Sequence, residues 1–565
     1  MTDFSFEMKN IVICQINSRY IHSSLAAWYI YAGVKEYSKS DVTPVVVEGT
    51  INEKTSLIAD RIINESPCAL GLSTYIWNAR VVLEVASLVK KALPQIKVIL
   101  GGPEVSYSSE KYLSYDFIDF VVSGEGEYPF ARLIDVIVNE TNISNIPGVS
   151  YKNEGNIVIS EPYVSADIPP SPYCDEYFEA IGNRIAYLET SRGCPFSCAF
   201  CLSGKCGGVR FFPEERAKRE LLSLAKSGTA TIKLVDRTFN ADKKRAIRFF
   251  EFIRDNYGTE IPEGVRIHFE ISGEILDGET IRVIGTLPKG AVQFEVGIQS
   301  FNVKTLEAIG RKSDTTRLVE NTNKLISLGN VHVHTDLIAG LPFEDYKSFR
   351  NSFNLAFAMR PHMLQLGFLK VLSGSPMGDD DYPHKCTFSP DAPYEVISTD
   401  YISSSELDVL RKIEDLNERI YNSGRFVKTF DYVLEVTELT PFDLYEKLSS
   451  VIEYDSGTSL DGFTKALCDV LVKIGVTDVR RLYDTVILDR ITTNREGRIP
   501  EFLKGEHQKT VKVKKKLEET VPDLFASGVK SCISYLESMN VGVYVRYDSS
   551  CDSITGKYPE NYIRI

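Results

Sequence analysis

The chain has 565 residues, more than one hydrophobic core usually serves, so we expect two or three domains. Its net charge of −13 argues against a generic nucleic-acid binder. It lacks an apolar stretch of about twenty residues, and residues 1–10 lack the apolar core of a signal peptide, so we expect no membrane contact. Eleven scattered cysteines then predict a reducing cytoplasm rather than a disulfide framework.

Residues 1–144 alternate apolar runs with amphipathic stretches, which predicts an α/β domain with a parallel, doubly wound, Rossmann-like sheet. Small-residue turns follow three of the predicted strands, at the carboxyl edge where open α/β sheets bind ligands. These turns are Gly71–Thr74, Gly101–Pro103 and Ser123–Gly126. The predicted strands are Ile11–Ile16, Val45–Val47, Ala69–Ser73, Ile96–Leu100 and Ile118–Val122.

Residues 145–183 are predicted to form a linker. Two short apolar runs flank the turn Asn153–Asn156, which is typical of a β-hairpin. Pro169, Pro170 and Pro172 then indicate an extended segment.

Residues 184–385 repeat the βα pattern six times, which predicts a partial (βα)6 barrel with its chemistry at the carboxyl ends of the strands. The predicted strands are Ile185–Glu189, Ile232–Val235, Arg266–Ile271, Val292–Ile298, His332–Ile338 and Leu364–Leu372. Residues 386–565 predict a mostly helical C-terminal domain with a short β region at Val541–Tyr547. A lysine run at residues 509–516 is typical of a solvated face, with a phosphate or tRNA contact as the alternative.

Three cysteines, Cys194, Cys198 and Cys201, follow the first barrel strand with the spacing C-x3-C-x2-C. Three thiolates on one loop can hold three irons of a [4Fe–4S] cluster and leave the fourth iron open for a substrate or cofactor. Cys206, five residues further on, offers the alternative of a four-cysteine zinc site. Ordinary thiols are the remaining alternative.

This spacing resembles the radical S-adenosylmethionine (radical SAM) superfamily, in which the open iron chelates the amino and carboxylate groups of SAM. The resemblance implies an enzyme that cleaves SAM to methionine and a 5′-deoxyadenosyl radical, which abstracts a substrate hydrogen. The implied cofactors are a [4Fe–4S] cluster and SAM. The protein would orient the reactants and exclude water, since the cofactors carry the difficult chemistry.

Candidate SAM ligands and catalytic residues lie near the ends of the predicted strands. Asp236 could receive the SAM ammonium group, and alternation places His268 and Glu270 on one face of the third strand. We predict catalytic roles for these three residues, although a structural ion pair explains His268 equally well. The resemblance implies Phe200, Ala339, Gly340 and Leu369 near the adenine, Glu295, Gln299 and Ser300 near the ribose, and Arg311 at the carboxylate.

The N-terminal layout resembles the cobalamin-binding domain that precedes the radical SAM core in one large subfamily. Many such domains carry an Asp-x-His-x-x-Gly loop after the first strand, whereas this chain has His22 within Asn17–Ser24, at a different spacing. We therefore expect His22 to cap or pack at the first helix. Cobalamin binding stays open.

Four segments resemble an uncharacterised-domain branch of these proteins: Gly101–Ser106, Val209–Phe211, Asp236–Asn240 and Asp336–Pro342. One activity of that branch is a lyase that releases queuine from queuosine 5′-phosphate. Because the cobalt loop is weak, we expect this SAM-only lyase, with a modified nucleoside or nucleotide as the small-molecule substrate and a flavodoxin or ferredoxin as electron donor. The alternatives are a cobalamin-dependent radical SAM methyltransferase and a non-catalytic iron–sulfur binder.

Overall fold

The computed structural model describes residues 9–143, 145–455, 457–494, 497–505 and 507–564, apart from the side chain of Cys206. These residues form two compact units. The first comprises the chain up to residue 271 together with residues 309–311 and 369–397. The second comprises residues 272–308, 312–368 and the chain from 398 onward.

The first unit begins with a sheet whose strands are β1 (Lys9–Asn17), β2 (Val42–Thr50), β3 (Ala69–Ser73), β4 (Lys97–Gly101), β5 (Phe120–Val122), β6 (Val149–Asn153) and β7 (Asn156–Val158). Its helices are α1 (Ala26–Tyr37), α2 (Thr55–Asn64), α3 (Ala79–Ala92), α4 (Ser109–Leu113) and α5 (Glu127–Val138). The strand order is β2-β1-β3-β4-β5-β6-β7. Strands β1 to β5 are parallel, as expected for the doubly wound sheet.

Burial on both faces explains why these strands are continuous apolar runs. Ile11, Val12 and Ile13 are consecutive and all buried, so neither face of β1 meets solvent. The predicted hairpin is confirmed, because β6 and β7 pair antiparallel across Asn153 and Asn156. β6 also pairs antiparallel with β5, so the segment predicted as a linker extends the sheet. The boundaries of the predicted domains stay a prediction.

The first unit continues with α6 (Asp175–Ile181), β8 (Ala186–Leu188), β9 (Ser191–Arg192), β10 (Arg210–Phe211), α7 (Glu214–Ala225), β11 (Thr231–Leu234), α8 (Lys243–Asn256) and β12 (Arg266–Ile271). β11 pairs in parallel with β8 on one side and β12 on the other. β9 and β10 form a short antiparallel pair beside the cysteine motif.

The second unit starts with α9 (Gly278–Ile284), β13 (Val292–Gln299), α10 (Val303–Ala308), α11 (Thr315–Ser327), β14 (His332–Ala339), α12 (Tyr346–Ala358) and β15 (Met363–Phe368). β14 pairs in parallel with β13 and β15. An aspartate caps the N-terminus of α8, α9, α11 and α12 by accepting a backbone N–H three residues later. The predicted alternation of parallel strands and helices in the core is confirmed.

The remaining elements are β16 (Cys386–Phe388), β17 (Val396–Thr399), α13 (Ser404–Asn417), α14 (Val427–Thr437), α15 (Pro441–Val451), α16 (Leu460–Lys473), α17 (Val479–Thr493), α18 (His507–Thr520), β18 (Ser531–Leu536), β19 (Val541–Arg546) and β20 (Glu560–Arg564). The mostly helical C-terminal region is confirmed, and its terminal β region is a three-stranded antiparallel sheet. The lysine-rich α18 buries Val513 and Leu517 and exposes Lys512, Lys514 and Lys515. Within the described ranges, the helices are too short or too polar to cross a bilayer.

Candidate active site

The cysteine motif lies on a loop, residues 190–201, that follows β8; we call it the cluster loop. All three cysteines are half-buried, and Cys201 donates its backbone N–H to the carbonyl of Cys198 (3.0 Å). Burial raises the pKa of the Cys198 thiol, the Arg311 guanidinium opposes this, and the nearby Cys201 and Cys194 raise it further. Cys194 and Cys201 are therefore both close enough to Cys198 to affect its pKa.

The three thiols of the cluster loop are the donors that the predicted [4Fe–4S] cluster would bind. In the part of the chain that the structure describes, no three His, Cys, Asp or Glu side chains converge as ligands of one metal ion. The sulfurs around a [4Fe–4S] cluster lie further apart than the ligands of one ion, because each cysteine binds a different iron of the same cubane. Cys206, the predicted alternative fourth ligand of zinc, has a side chain outside the described residues.

Backbone contacts hold the cluster loop on two sides. Ala199 donates its N–H to the carbonyl of Ile309 (2.8 Å) and accepts one from Met377 (3.0 Å). At Gly204 a Cβ atom would lie 2.6 Å from the carbonyl oxygen of Phe196, so this close approach requires glycine.

Arg311 lies beside the cluster loop. Its side chain is buried, and its guanidinium carbon lies 5.9 Å from the centroid of the Phe196 ring. The same cation opposes the raised pKa of Cys198. Phe200 is half-buried on the loop itself. The predicted contacts of Arg311 with the SAM carboxylate and of Phe200 with the adenine stay predictions.

Asp236 is 1% exposed at the end of β11, and both of its carboxylate oxygens accept hydrogen bonds. Thr190 donates its backbone N–H (2.8 Å) and its hydroxyl (2.6 Å), and Ser191 donates its hydroxyl (2.6 Å). Burial raises the pKa of Asp236, although these bonds and Arg245 oppose the shift. Asp236 thus fastens the start of the cluster loop, and its predicted contact with the SAM ammonium stays a prediction.

His268 and Glu270 share one face of β12, as alternation predicts. His268 is buried and Glu270 is half-buried, with its Oε1 3.9 Å from Nη1 of Arg237. Arg237 is largely exposed, so this ion pair contributes little to stability. The catalytic roles of both residues stay predictions.

The predicted ribose segment lies in the second unit. Gln299 has a positive φ of 70° and donates from its side-chain amide to Asp336 (3.0 Å). Asp336 shares the half-buried face of β14 with His332 and His334, which settles the direction of its side chain. Glu295 is half-buried on β13. Its predicted contact and that of Gln299 with the SAM ribose stay predictions.

Ser300 donates its hydroxyl to Glu344, a buried carboxylate that the sequence reasoning missed. Glu344 also accepts from the hydroxyls of Ser348 (2.9 Å) and Ser352 (3.1 Å), and burial raises its pKa. The sequence contained a signal for this group, because Ser348 and Ser352 are four residues apart and so lie on one face of α12. The predicted ribose contact of Ser300 stays a prediction.

The predicted adenine residues lie at the ends of β14 and β15. Ala339 is buried and Gly340 has a φ of 89°, a conformation that favours glycine. The carbonyl of Leu369 accepts the N–H of Val396 (2.9 Å). Their predicted proximity to the adenine stays a prediction.

His22 is held by the core of the first unit. Its Nδ1 lies 2.7 Å from the hydroxyl of Tyr187. Burial lowers its pKa, and the cations Arg19 and Lys233 add to the effect. These contacts are with the β8 region, and the expected packing of His22 at the first helix stays a prediction. Residues 9–158 contain no other histidine.

The carboxyl edge of the N-terminal sheet nevertheless offers a surface for a flat cofactor. Gly102 has a φ of 106°, and a Cβ there would lie 2.5 Å from the carbonyl oxygen of Thr74. Beside this turn the rings of Tyr75 and Trp77 stack at 4.3 Å, and Trp77 is 47% exposed. An exposed aromatic stack beside a glycine turn fits the corrin ring of cobalamin without a histidine ligand from the first loop.

Arg192 of the cluster loop binds three carboxylates, and sequence reasoning missed this group. It contacts Glu125 (3.1 Å), Glu127 (2.6 Å) and Glu189 (3.0 Å) with only 13% of its side chain exposed. Glu125 also pairs with Arg210. Since Glu125 and Glu127 follow β5, this group joins the carboxyl edge of the N-terminal sheet to the cluster loop.

Comparison with known families identifies three regions. Residues 12–134 match the B12 binding domain, residues 188–356 match the radical SAM superfamily, and residues 382–537 match a protein family of unknown function, DUF4080.

Curated relatives include 2-(S-pantetheinyl)-carbapenam-3-carboxylate methyltransferase of Streptantibioticus cattleyicolor, 30% identical over 54% of this chain and 46% of the relative. The cobalamin-dependent radical SAM methyltransferase TokK of Streptomyces tokunonensis is 28% identical over 59% of this chain and 50% of the relative. The chain thus spans about half the length of these relatives.

Two solved structures share the fold. The cobalamin-dependent SAM radical enzyme OxsB, with aqua-cobalamin and SAM bound, covers 92% of this chain and 81% of its own, at a TM-score of 0.58 and 12% identity. The methyltransferase TsrM of Kitasatospora setae, with cobalamin and a [4Fe–4S] cluster bound, covers 66% and 74%, at a TM-score of 0.54 and 16% identity.

These relatives correct the expected function. The expectation of a SAM-only lyase that releases queuine is wrong, because the named relatives are methyltransferases and the alternative of cobalamin-dependent methyl transfer fits them better. The different spacing around His22 favoured the lyase, but this spacing does not exclude a B12-binding domain. Residues 188–356 therefore form a radical SAM domain, whose cofactors are a [4Fe–4S] cluster and SAM, and residues 12–134 form a B12-binding domain.

Proposed function

We propose that this protein is a cobalamin-dependent radical SAM methyltransferase that acts on a small molecule. The observation that carries the proposal is the presence of a B12-binding domain and a radical SAM domain in one chain whose named relatives are methyltransferases. The exposed stack of Tyr75 and Trp77 beside the Gly102 turn supports it, since it offers a face for the corrin ring.

In this proposal Cys194, Cys198 and Cys201 hold the cluster. When bound, the cluster supplies the electron for cleavage of SAM, and cobalamin supplies a carrier for the methyl group. Arg311 offsets the negative charge of the thiolates, since its guanidinium already opposes the raised pKa of Cys198. Asp236 keeps the start of the loop in place through Thr190 and Ser191.

The substrate class rests on the polar faces of the strands. Within the second unit, His334 and Asp336 on β14 are half-buried groups able to orient a polar small molecule or hold a proton. A modified nucleotide as substrate, a flavodoxin or ferredoxin as electron donor and a cytoplasmic location stay predictions.

Isolation with both cofactors tests the proposal. The protein is expressed with hydroxocobalamin, reconstituted with iron and sulfide without oxygen, and desalted. We expect about one corrinoid per chain by absorbance, and S-adenosylhomocysteine together with 5′-deoxyadenosine when SAM, a low-potential reductant and substrate are supplied. Methyl-deuterated SAM then reports transfer by mass spectrometry. Protein that carries an intact cluster but retains no corrinoid would contradict the proposal.

Replacing Trp77 with alanine is expected to weaken corrinoid binding about tenfold, equivalent to about 1.4 kcal/mol, because one ring of the exposed stack is lost. Equilibrium dialysis with hydroxocobalamin measures the change in Kd. Leu57→Ala is the matched control, because it removes a similarly exposed apolar side chain from α2. Equal Kd values for W77A and L57A would exclude the stack from the binding surface.

A further inference from the structure

The hydroxyl of Thr238 lies beside the sulfur of Cys194. Oγ1 and Sγ are 3.5 Å apart, and Thr238 is buried. The same hydroxyl donates to the carbonyl oxygen of Arg237 at 2.8 Å. Thr238 therefore has one proton and two neighbouring acceptors.

Ligation of Cys194 changes the balance between these acceptors. A free thiol can donate its S–H to Oγ1, whereas a cysteine bound to iron is a thiolate that accepts hydrogen bonds and donates none. Hydrogen bonds to a charged acceptor are about twice as strong as those between neutral groups. The proton of Thr238 is thus drawn from the carbonyl of Arg237 to the sulfur.

A buried hydrogen-bond network holds the hydroxyl of Thr238 close to the sulfur of Cys194. Asp236, two residues before Thr238, accepts three hydrogen bonds from Thr190 and Ser191, which begin the cluster loop. Arg245, also buried, donates from Nη2 to the carbonyl of Thr190 (3.2 Å). These hydrogen bonds join the strand end that carries Thr238 to the loop that carries Cys194. On the loop they are made by Thr190 and Ser191, four and three residues before Cys194.

We propose that Thr238 sets the reduction potential of the cluster by donating a hydrogen bond to the sulfur of Cys194. Reduction adds one electron, taken from an external reductant, and a hydrogen-bond donor stabilises the added negative charge and so raises the potential. Cys201 has a comparable donor in the backbone N–H of Ser203 (3.4 Å). The inference rests on Cys194 as a cluster ligand in the proposed function, and does not depend on which group is transferred.

Thr238→Val tests the inference, because valine keeps the shape and removes the hydroxyl. Wild type and variant are reconstituted without oxygen and titrated with dithionite and mediators, and the reduced cluster is followed by electron paramagnetic resonance. We expect a more negative midpoint potential in T238V, unchanged iron and sulfide content, and a wild-type potential in T238S. Thr229→Val is the matched control, since it removes another buried threonine hydroxyl, bonded to the carbonyl of Arg184.

Three outcomes would overturn the inference. Equal potentials in wild type and T238V, with full clusters in both, would show that the hydroxyl does not reach the sulfur. Equal shifts in T238V and T229V would show a general effect of lost hydroxyls. Loss of iron in both T238V and T238S would assign Thr238 a packing role. Absence of iron from the wild type would instead contradict Cys194 as a ligand, and with it the proposed function.

Discussion

Cys198→Ala is expected to abolish cluster assembly and to reduce cleavage of SAM to the level seen without protein. Two thiolates cannot hold the cubane in place of three, because each cysteine binds one iron of the cluster. The pKa of Cys198 also responds to Arg311 and to both other cysteines, so all three groups lie near this thiol. Iron and sulfide analysis, the visible spectrum and 5′-deoxyadenosine formation measure the loss.

Cys206→Ala is the control that separates the cluster from zinc. A site with three iron-bound cysteines retains its full iron content and SAM cleavage in C206A, whereas a four-cysteine zinc site loses its metal in both variants. Cys174→Ala is a second control, since Cys174 is half-buried and lies outside the motif. Far-UV circular dichroism shows whether each variant folds. Retention of a complete, active cluster in C198A would contradict the ligand assignment.

Arg192→Met is expected to destabilise the apo-protein by about 3 to 5 kcal/mol, the usual cost of removing one partner from a buried ion pair. Methionine fills most of the arginine volume, so the loss comes from charge rather than from a cavity. Glu125, Glu127 and Glu189 would remain with side chains at most 15% exposed, and Glu125 alone would keep an arginine, Arg210. Guanidinium unfolding of the apo-protein, followed by circular dichroism, measures the change.

The pH dependence of the stability loss in R192M shows whether uncompensated carboxylate charge causes it. Burial already raises the pKa of Glu189, and Arg192 opposes the shift, so its removal raises that pKa further. An acid whose folded pKa exceeds its unfolded value, about 4.3 for glutamate, costs stability as the pH rises through that interval. The difference between R192M and wild type should therefore shrink as the pH is lowered from 8 toward about 5.

Two further variants serve as controls for Arg192. Arg61→Met breaks a more exposed ion pair with Glu53 and should cost no more than about 1 kcal/mol. Glu189→Gln in the R192M background removes one uncompensated charge and should recover part of the stability. A loss in R192M that is independent of pH and not relieved by E189Q would indicate a packing effect.

The sequence predicted the fold well because periodic burial leaves a strong pattern. Most of the predicted parallel strands begin and end close to the predicted residues, because buried apolar residues recur along them. β2 is longer than the predicted Val45–Val47, and β15 ends at Phe368 rather than at Leu372. The contacts of the polar groups could not be predicted in the same way. The sequence did not predict that the oxygens of Asp236 accept hydrogen bonds from Thr190 and Ser191, which lie about 45 positions earlier.

The ion pairs of Arg192 could not be predicted from the sequence either. Sequence places it two residues before Cys194, but its partners Glu125 and Glu127 lie more than 60 residues away. These ion pairs depend on which strand ends lie next to each other in the fold. The spacing of residues along the chain does not predict this arrangement. The spacing around His22 favoured a SAM-only reaction, whereas residues 12–134 match the B12 binding domain.

The β6–β7 hairpin determines where a fragment of the N-terminal region should end. Its pairing with β5 covers hydrogen-bonding groups that a fragment ending at residue 144 would leave bare, and bare strand edges promote aggregation. Tyr163 adds to the cover, because its backbone exchanges hydrogen bonds with Ser123 (2.9 Å) and Glu125 (2.8 Å). A fragment made for corrinoid titration should therefore extend past Tyr163 to avoid aggregation.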